Sequence, residues 1–159
     1  MNSGSTKAML VHLTPLLLPV LSPLLSPYLI PESTGEQLWY LIFLVPALIV
    51  FLPAIIIRLS SKSTDFERRH ASAYMNFEIS SLLYVGALVG TYFWIFNDMS
   101  ADTAGEYQGI NTPIALLSIS FALLLLAFIA LIGAFNVRAA IAAYRGQEYR
   151  YPIAIRFLK

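Results

Sequence analysis

The sequence predicts an all-α fold: a four-helix bundle integral to a membrane, with both termini on the cytoplasmic side. Three observations predict it. Of 159 residues, 58% are apolar and 12% are charged, where a soluble globular domain carries about 25% charge. The apolar residues gather into four stretches, each near the ~20 residues that a helix needs to cross a hydrocarbon core. All 10 Lys and Arg residues then fall on one side of a four-pass arrangement. Lys7 precedes the first stretch, Arg58, Lys62, Arg68 and Arg69 follow the second, and Arg138, Arg145, Arg150, Arg156 and Lys159 follow the fourth. The opposite loops hold only acids, Glu32 and Glu36, then Asp98, Asp102 and Glu106. Short loops rich in Lys and Arg stay in the cytoplasm, which sets the orientation.

The spans are expected at residues 8–30, 38–57, 73–96 and 113–137 of a single domain covering 1–159, with connections at 31–37, 58–72 and 97–112. In the first, Pro15, Pro19, Pro23, Pro27 and Pro31 recur at every fourth position. Each proline removes one helical hydrogen bond, and in lipid the freed carbonyls must find other donors. A proline-kinked helix packed on its neighbours is the reading adopted; a broken or re-entrant segment lining a cavity is the alternative. A signal peptide is the rival for this stretch, but no small-residue cleavage pattern follows it. Pro46 and Pro53 place a second bend in the second span.

The third span is preceded by Thr64-Asp65-Phe66-Glu67, a cap followed by an early acid, so its helix starts before the apolar run. Asn76 and Glu78 then enter the membrane, where an acid is costly unless paired or facing protein. Candidate partners at similar depth are His12, Arg58, Asn136 and Arg138. A buried pair of Glu78 with Arg58 or Arg138 is the structural expectation, and a proton- or ion-binding pair with His12 is the functional one. Gly86 and Gly90 form a small-xxx-small pattern for close helix contact, inside the bundle or with another protein. Tyr92, Trp94 and Phe96, with Trp39 and Tyr40, read as an interfacial aromatic belt.

The fourth helix opens at Thr112-Pro113, a cap and a first-turn proline, and continues to Tyr144-Arg145 with Gly146 as its stop. It is longer than the bilayer core requires. The tail, 146–159, is apolar and basic, a short cytoplasmic segment lying at the lipid surface or against the bundle. Its Arg150, Arg156 and Lys159, with Arg145 before them, are placed for anionic lipid headgroups or a partner protein.

No nucleophile motif, phosphate loop or metal-ligand spacing occurs, so no catalytic residue, cofactor or metal is expected. His12 and His70 are the only histidines; a pair of axial haem ligands in a four-helix bundle is an alternative role for them. The near-neutral charge of +1 gives no nucleic-acid footprint.

The segment from Phe66-Glu67-Arg68-Arg69-His70 through Ala73-Tyr74-Met75-Asn76-Phe77-Glu78-Ile79-Ser80 resembles a pattern found in a bacterial membrane family of unknown function. The tail, with Gly146-Gln147-Glu148-Tyr149-Arg150-Tyr151-Pro152 and then Ile155-Arg156-Phe157, is similar to that family's ending, and His12-Leu13 fits its start. The family is related to the twenty-kilodalton Tic component of the chloroplast inner-envelope import apparatus. The resemblance implies four helices in a bacterial inner membrane, both termini cytoplasmic, and no settled activity. This chain departs from it in the proline ladder, in Glu78 where Gln is usual, and in Tyr74 where a small Ala is commoner.

The function expected is therefore that of a non-catalytic accessory or assembly subunit of a larger membrane complex. A transport or protein-translocation component, with a polar path near Glu78 and the proline-broken first span, is the alternative.

Overall fold

The computed structural model describes residues 3–17, 39–103 and 112–158, with the side chains of 3, 17, 39–47 and 100–103 outside that description. Among the described residues the chain is all-α: four helices and no strand. They are α1 (Ser3–Leu13), continued by a 3₁₀ turn at Thr14–Leu17, α2 (Trp39–Leu59), α3 (Asp65–Thr103) and α4 (Thr112–Tyr144).

Helix α1 starts five residues earlier than its apolar content indicates, because Lys7 reaches Glu67 at 3.5 Å while Ala8 and Val11 are buried. It gives way to the tighter turn next to Pro15, and the Thr14 hydroxyl returns a hydrogen bond to the Leu10 carbonyl at 3.0 Å. The remainder of the expected first span, with Pro19, Pro23, Pro27 and Pro31, lies outside the described residues. So does the choice between kinked and re-entrant. A single helix, α2, runs through both Pro46 and Pro53.

The connection expected at 58–72 shrinks to residues 60–64. Its C-terminal half is helix because Thr64 and Glu67 close a capping box. The Glu67 carboxylate accepts from the Thr64 backbone N–H at 2.6 Å, and the Thr64 hydroxyl accepts from the Glu67 N–H at 3.3 Å. At the far end of the chain α4 stops as its sequence predicts. Gly146 adopts φ 72°, and the N–H groups of Gln147 and Gly146 return to the carbonyls of Ala142 and Ala143 at 2.9 and 3.0 Å. This pair of bonds is a Schellman stop, which needs a left-handed residue that glycine supplies without a steric penalty.

The chain divides into two units. The first comprises Met1–Glu78 and Gly133–Lys159. Its apolar core is Val11, Val50, Ala54, Ala71 and Tyr74, and the Tyr74 hydroxyl donates to the Val50 carbonyl at 3.2 Å. The second unit, Ile79–Ile132, pairs the remaining lengths of α3 and α4. Tyr92 stacks on Phe121 with ring centroids 4.2 Å apart and shares a hydrogen bond with Ser118 at 3.0 Å. Tyr92 is thus a packing residue, whereas Trp94 is 74% exposed; Trp39 and Tyr40 are outside the described side chains. Helices α3 and α4 are long and apolar enough to cross a membrane. Their apolar side chains face outward, among them Leu83, Phe93, Leu116, Ile119, Leu123 and Leu126.

Candidate functional site

One face of α3 carries Glu67, His70, Ala71, Tyr74, Phe77 and Glu78, three or four residues apart and all buried. That spacing lines side chains along a single helical stripe. Opposing residues are small: Ala139, Ala140 and Ala143 of α4 are buried at the same helical interval after Asn136. Ala8, Val11 and His12 supply the matching stripe on α1.

At the centre of this unit the polar side chains join end to end. The Glu78 carboxylate accepts from Asn136 Nδ2 at 3.2 Å, and Asn136 Oδ1 accepts from the Tyr151 hydroxyl at 2.8 Å. The same hydroxyl lies 2.9 Å from His12 Nδ1, His12 Nε2 lies 2.9 Å from His70 Nδ1, and His70 Nε2 donates to the Gln147 carbonyl at 3.1 Å. His12, His70, Asn136, Tyr151 and Glu78 are each at most 9% exposed. Aromatic contacts fix the line. Phe77 stacks on Tyr151 at 4.0 Å with planes 9° apart, and Phe77 meets Phe135 edge-on at 6.0 Å. Burial, reinforced by the nearby Glu78 and Tyr149, raises the Tyr151 pKa well above 10.0, so the phenol stays neutral and can donate.

Of the expected polar cluster, the structure brings together His12, Glu78 and Asn136. The other three sit elsewhere. Arg58 donates to the Ser72 hydroxyl, and Arg138 is exposed. Glu78 therefore has Asn136 as its hydrogen-bond partner in place of the expected arginine, because Asn136 projects into the buried stripe of α4 while Arg138 points outward. Asn76 holds the tail: its amide donates to the Leu158 carbonyl at 2.8 Å, and its oxygen accepts from the Phe157 and Leu158 N–H groups at 3.0 and 2.8 Å. The haem reading fails on geometry, since two imidazole nitrogens in direct hydrogen-bond contact leave no room for an iron between them.

Sequence reasoning does not reach two residues of the line as partners: Tyr151, which it places only within the tail, and His70, which it pairs with His12 only as a haem-ligand alternative. The signal available was the polar ring of Tyr151 in an otherwise apolar ending, and the three-and-four spacing of His70 with Tyr74, Phe77 and Glu78.

The tail also closes a cavity of about 290 Å³ lined by Arg69, His70, Asn76, Tyr151, Arg156 and Leu158. At its rim Arg69 pairs with Glu148 at 2.8 Å. Arg145, Arg150 and Arg156 are exposed, and Lys159 lies outside the described residues. A methyl group built on Gly86 or Gly90 meets no described atom within 4 Å, so among the described residues no helix of this chain packs on that pattern. The described residues include no group of three or more His, Cys, Asp or Glu placed to hold a metal ion.

Residues 4–158 match the Magnetosome magnetite crystal formation protein family, a bacterial membrane family. No curated protein and no solved structure matches the chain.

Proposed function

The chain belongs to the Magnetosome magnetite crystal formation protein family, and from that premise we propose that it is a non-catalytic integral membrane protein serving crystal formation as an accessory or assembly subunit. The observation that carries this reading is the setting of Glu78. Its carboxylate is hydrogen-bonded to Asn136 and, unlike His70 and Tyr151, is not among the residues that line the cavity beneath the tail. A conducting path needs an acid that water or cargo can reach. The outward apolar faces of α3 and α4 support a lipid environment, since a soluble protein rarely exposes so much apolar surface.

The finer features of the proposal follow from the charge pattern and the tail. All four helices span the bilayer of an inner membrane or one derived from it, with both termini cytoplasmic. Arg145, Arg150, Arg156 and Lys159 meet anionic headgroups, and the open Gly86–Gly90 face receives a helix of another subunit. A distant relation to the twenty-kilodalton Tic component fits the same four-pass plan. The alternative, a transport or translocation component, rests on the cost of keeping any carboxyl group at this depth.

Gentle extraction into nanodiscs from the native membrane, followed by native mass spectrometry, tests the proposal. Recovery in fixed stoichiometry with other magnetosome membrane proteins is the expected result. Recovery alone or as a homo-oligomer overturns it and directs attention to proton or ion flux with Glu78→Gln.

A further inference from the structure

The polar line imposes a proton count. A carbonyl oxygen only accepts, so the Gln147 carbonyl requires hydrogen on His70 Nε2. Each remaining contact needs one donor and one acceptor, and Asn136 can present its amide either way round.

With Asn136 oriented as observed, its Nδ2 donates to an ionised Glu78 and Tyr151 spends its only hydrogen on Asn136 Oδ1. His12 Nδ1 must then donate to the Tyr151 oxygen. The His12–His70 contact needs one further hydrogen, and His70 Nε2 a third. The histidine pair therefore carries three ring hydrogens and one positive charge. With the amide reversed, a protonated Glu78 donates to Asn136, Asn136 donates to Tyr151, and Tyr151 donates to His12 Nδ1. Two ring hydrogens then suffice, and both imidazoles are neutral. The two arrangements contain the same number of protons and the same net charge. Removing one proton from either leaves two lone pairs facing each other; adding one leaves a hydrogen without an acceptor on the line.

Among the described residues, the charged and titratable side chains near the line include Lys7, Arg69, Tyr74 and Arg156, and Arg156 shares the cavity with His70. Lys7 from α1 is paired with Glu67 at 3.5 Å, Arg69 of α3 with Glu148 of the tail at 2.8 Å, and the Tyr74 hydrogen is spent on the Val50 carbonyl of α2. Within the line itself, Glu78 and the histidine pair are the groups whose charges balance each other.

We infer that the line Glu78–Asn136–Tyr151–His12–His70 is a binding site for one proton, held either on the Glu78 carboxyl or on the histidine pair, with the Asn136 amide turning to match. No covalent bond other than that to this proton changes; the hydrogen bonds of Asn136 and Tyr151 reverse direction. When it leaves the Glu78 oxygen, that oxygen keeps the electron pair, and an imidazole nitrogen lone pair receives a proton. His70 and Tyr151 line the cavity under the tail, so the histidine end of the line faces that cavity. The inference stands on hydrogen-bond geometry and does not depend on the accessory-subunit reading.

The test uses the full chain in nanodiscs. Because it has only 2 histidines, nitrogen-15 histidine labelling reports the ring hydrogens of this pair alone. The infrared carbonyl band of a protonated carboxyl, assigned by its loss in Glu78→Gln or its displacement in Glu78→Asp, reports Glu78. Through the neutral range, the protonated fraction of Glu78 and the population of the third ring hydrogen should sum to one. Tyr151→Phe, which keeps the ring stack on Phe77, should release that constraint so that the sum changes with pH. An ionised Glu78 beside two neutral imidazoles, or a protonated Glu78 beside a charged pair, overturns the inference. So does a sum in Tyr151→Phe that stays locked at one.

Discussion

Replacing Asn76 by Ala should loosen the end of the tail, Phe157 and Leu158, from α3. The side chain makes three hydrogen bonds to the tail backbone, at 2.8, 3.0 and 2.8 Å. A hydrogen bond of this kind contributes a net ~1 kcal/mol. Phe157 is half exposed, so its freed amide can return to water. The loss is therefore about 2 to 3 kcal/mol, which corresponds to a docked-to-free ratio lowered roughly 30- to 150-fold. Amide hydrogen exchange measures this directly: protection of Phe157 and Leu158 should fall by that factor while the middle of α3 is unchanged. Asn76→Asp keeps the acceptor for both amides and should lose less. Undiminished protection of Phe157 and Leu158 in Asn76→Ala would refute the reasoning, because the tail would then be held by its apolar contacts alone.

Three further outcomes are expected. Thr64→Ala removes the hydroxyl half of the capping box and should cost about 1 kcal/mol, visible as a lower thermal midpoint with early fraying of α3. Gly146→Ala meets no described neighbour within 4 Å, so its cost of about 1 kcal/mol comes from the positive φ alone; equal stability would show that the stop relaxes. Tyr151 links stability to alkaline pH. Its folded pKa lies above the ordinary 10.0, so the unfolded chain releases this proton first. Its contribution is then complete below pH 10 and declines as pH rises beyond it. Denaturation midpoints of wild type and Tyr151→Phe should therefore converge in alkali.

Helix identity was legible because long apolar runs and terminal signals agree. Thr112-Pro113 and Gly146 bound α4 where the structure does, and Thr64 with Glu67 begins α3. The polar pairing was less legible. Hydropathy places His12, Glu78 and Asn136 at one depth, but depth does not choose between Asn136 and Arg138 as the partner. Those two residues lie on opposite sides of α4, and only the small-residue stripe through Ala139, Ala140 and Ala143 says which side is inside. Tyr151 was beyond reach because its position depends on how a tail without regular structure returns over the helices. That path is set by Gly146 and Asn76, whose spacing in sequence carries no such information.

The contact between Tyr151 and His12 joins positions 139 residues apart. A ribosome adding about 5–20 residues per second needs on the order of ten seconds to cover that distance. Throughout that interval His12, and later Asn136, must wait without the phenol that finishes their hydrogen bonding. The helices can pack before the polar centre is complete, so the last step of maturation belongs to the end of the chain. A molecule interrupted shortly before Tyr151 would keep its apolar helices yet carry an unfinished buried centre, a defect that surveillance by membrane proteases is suited to detect.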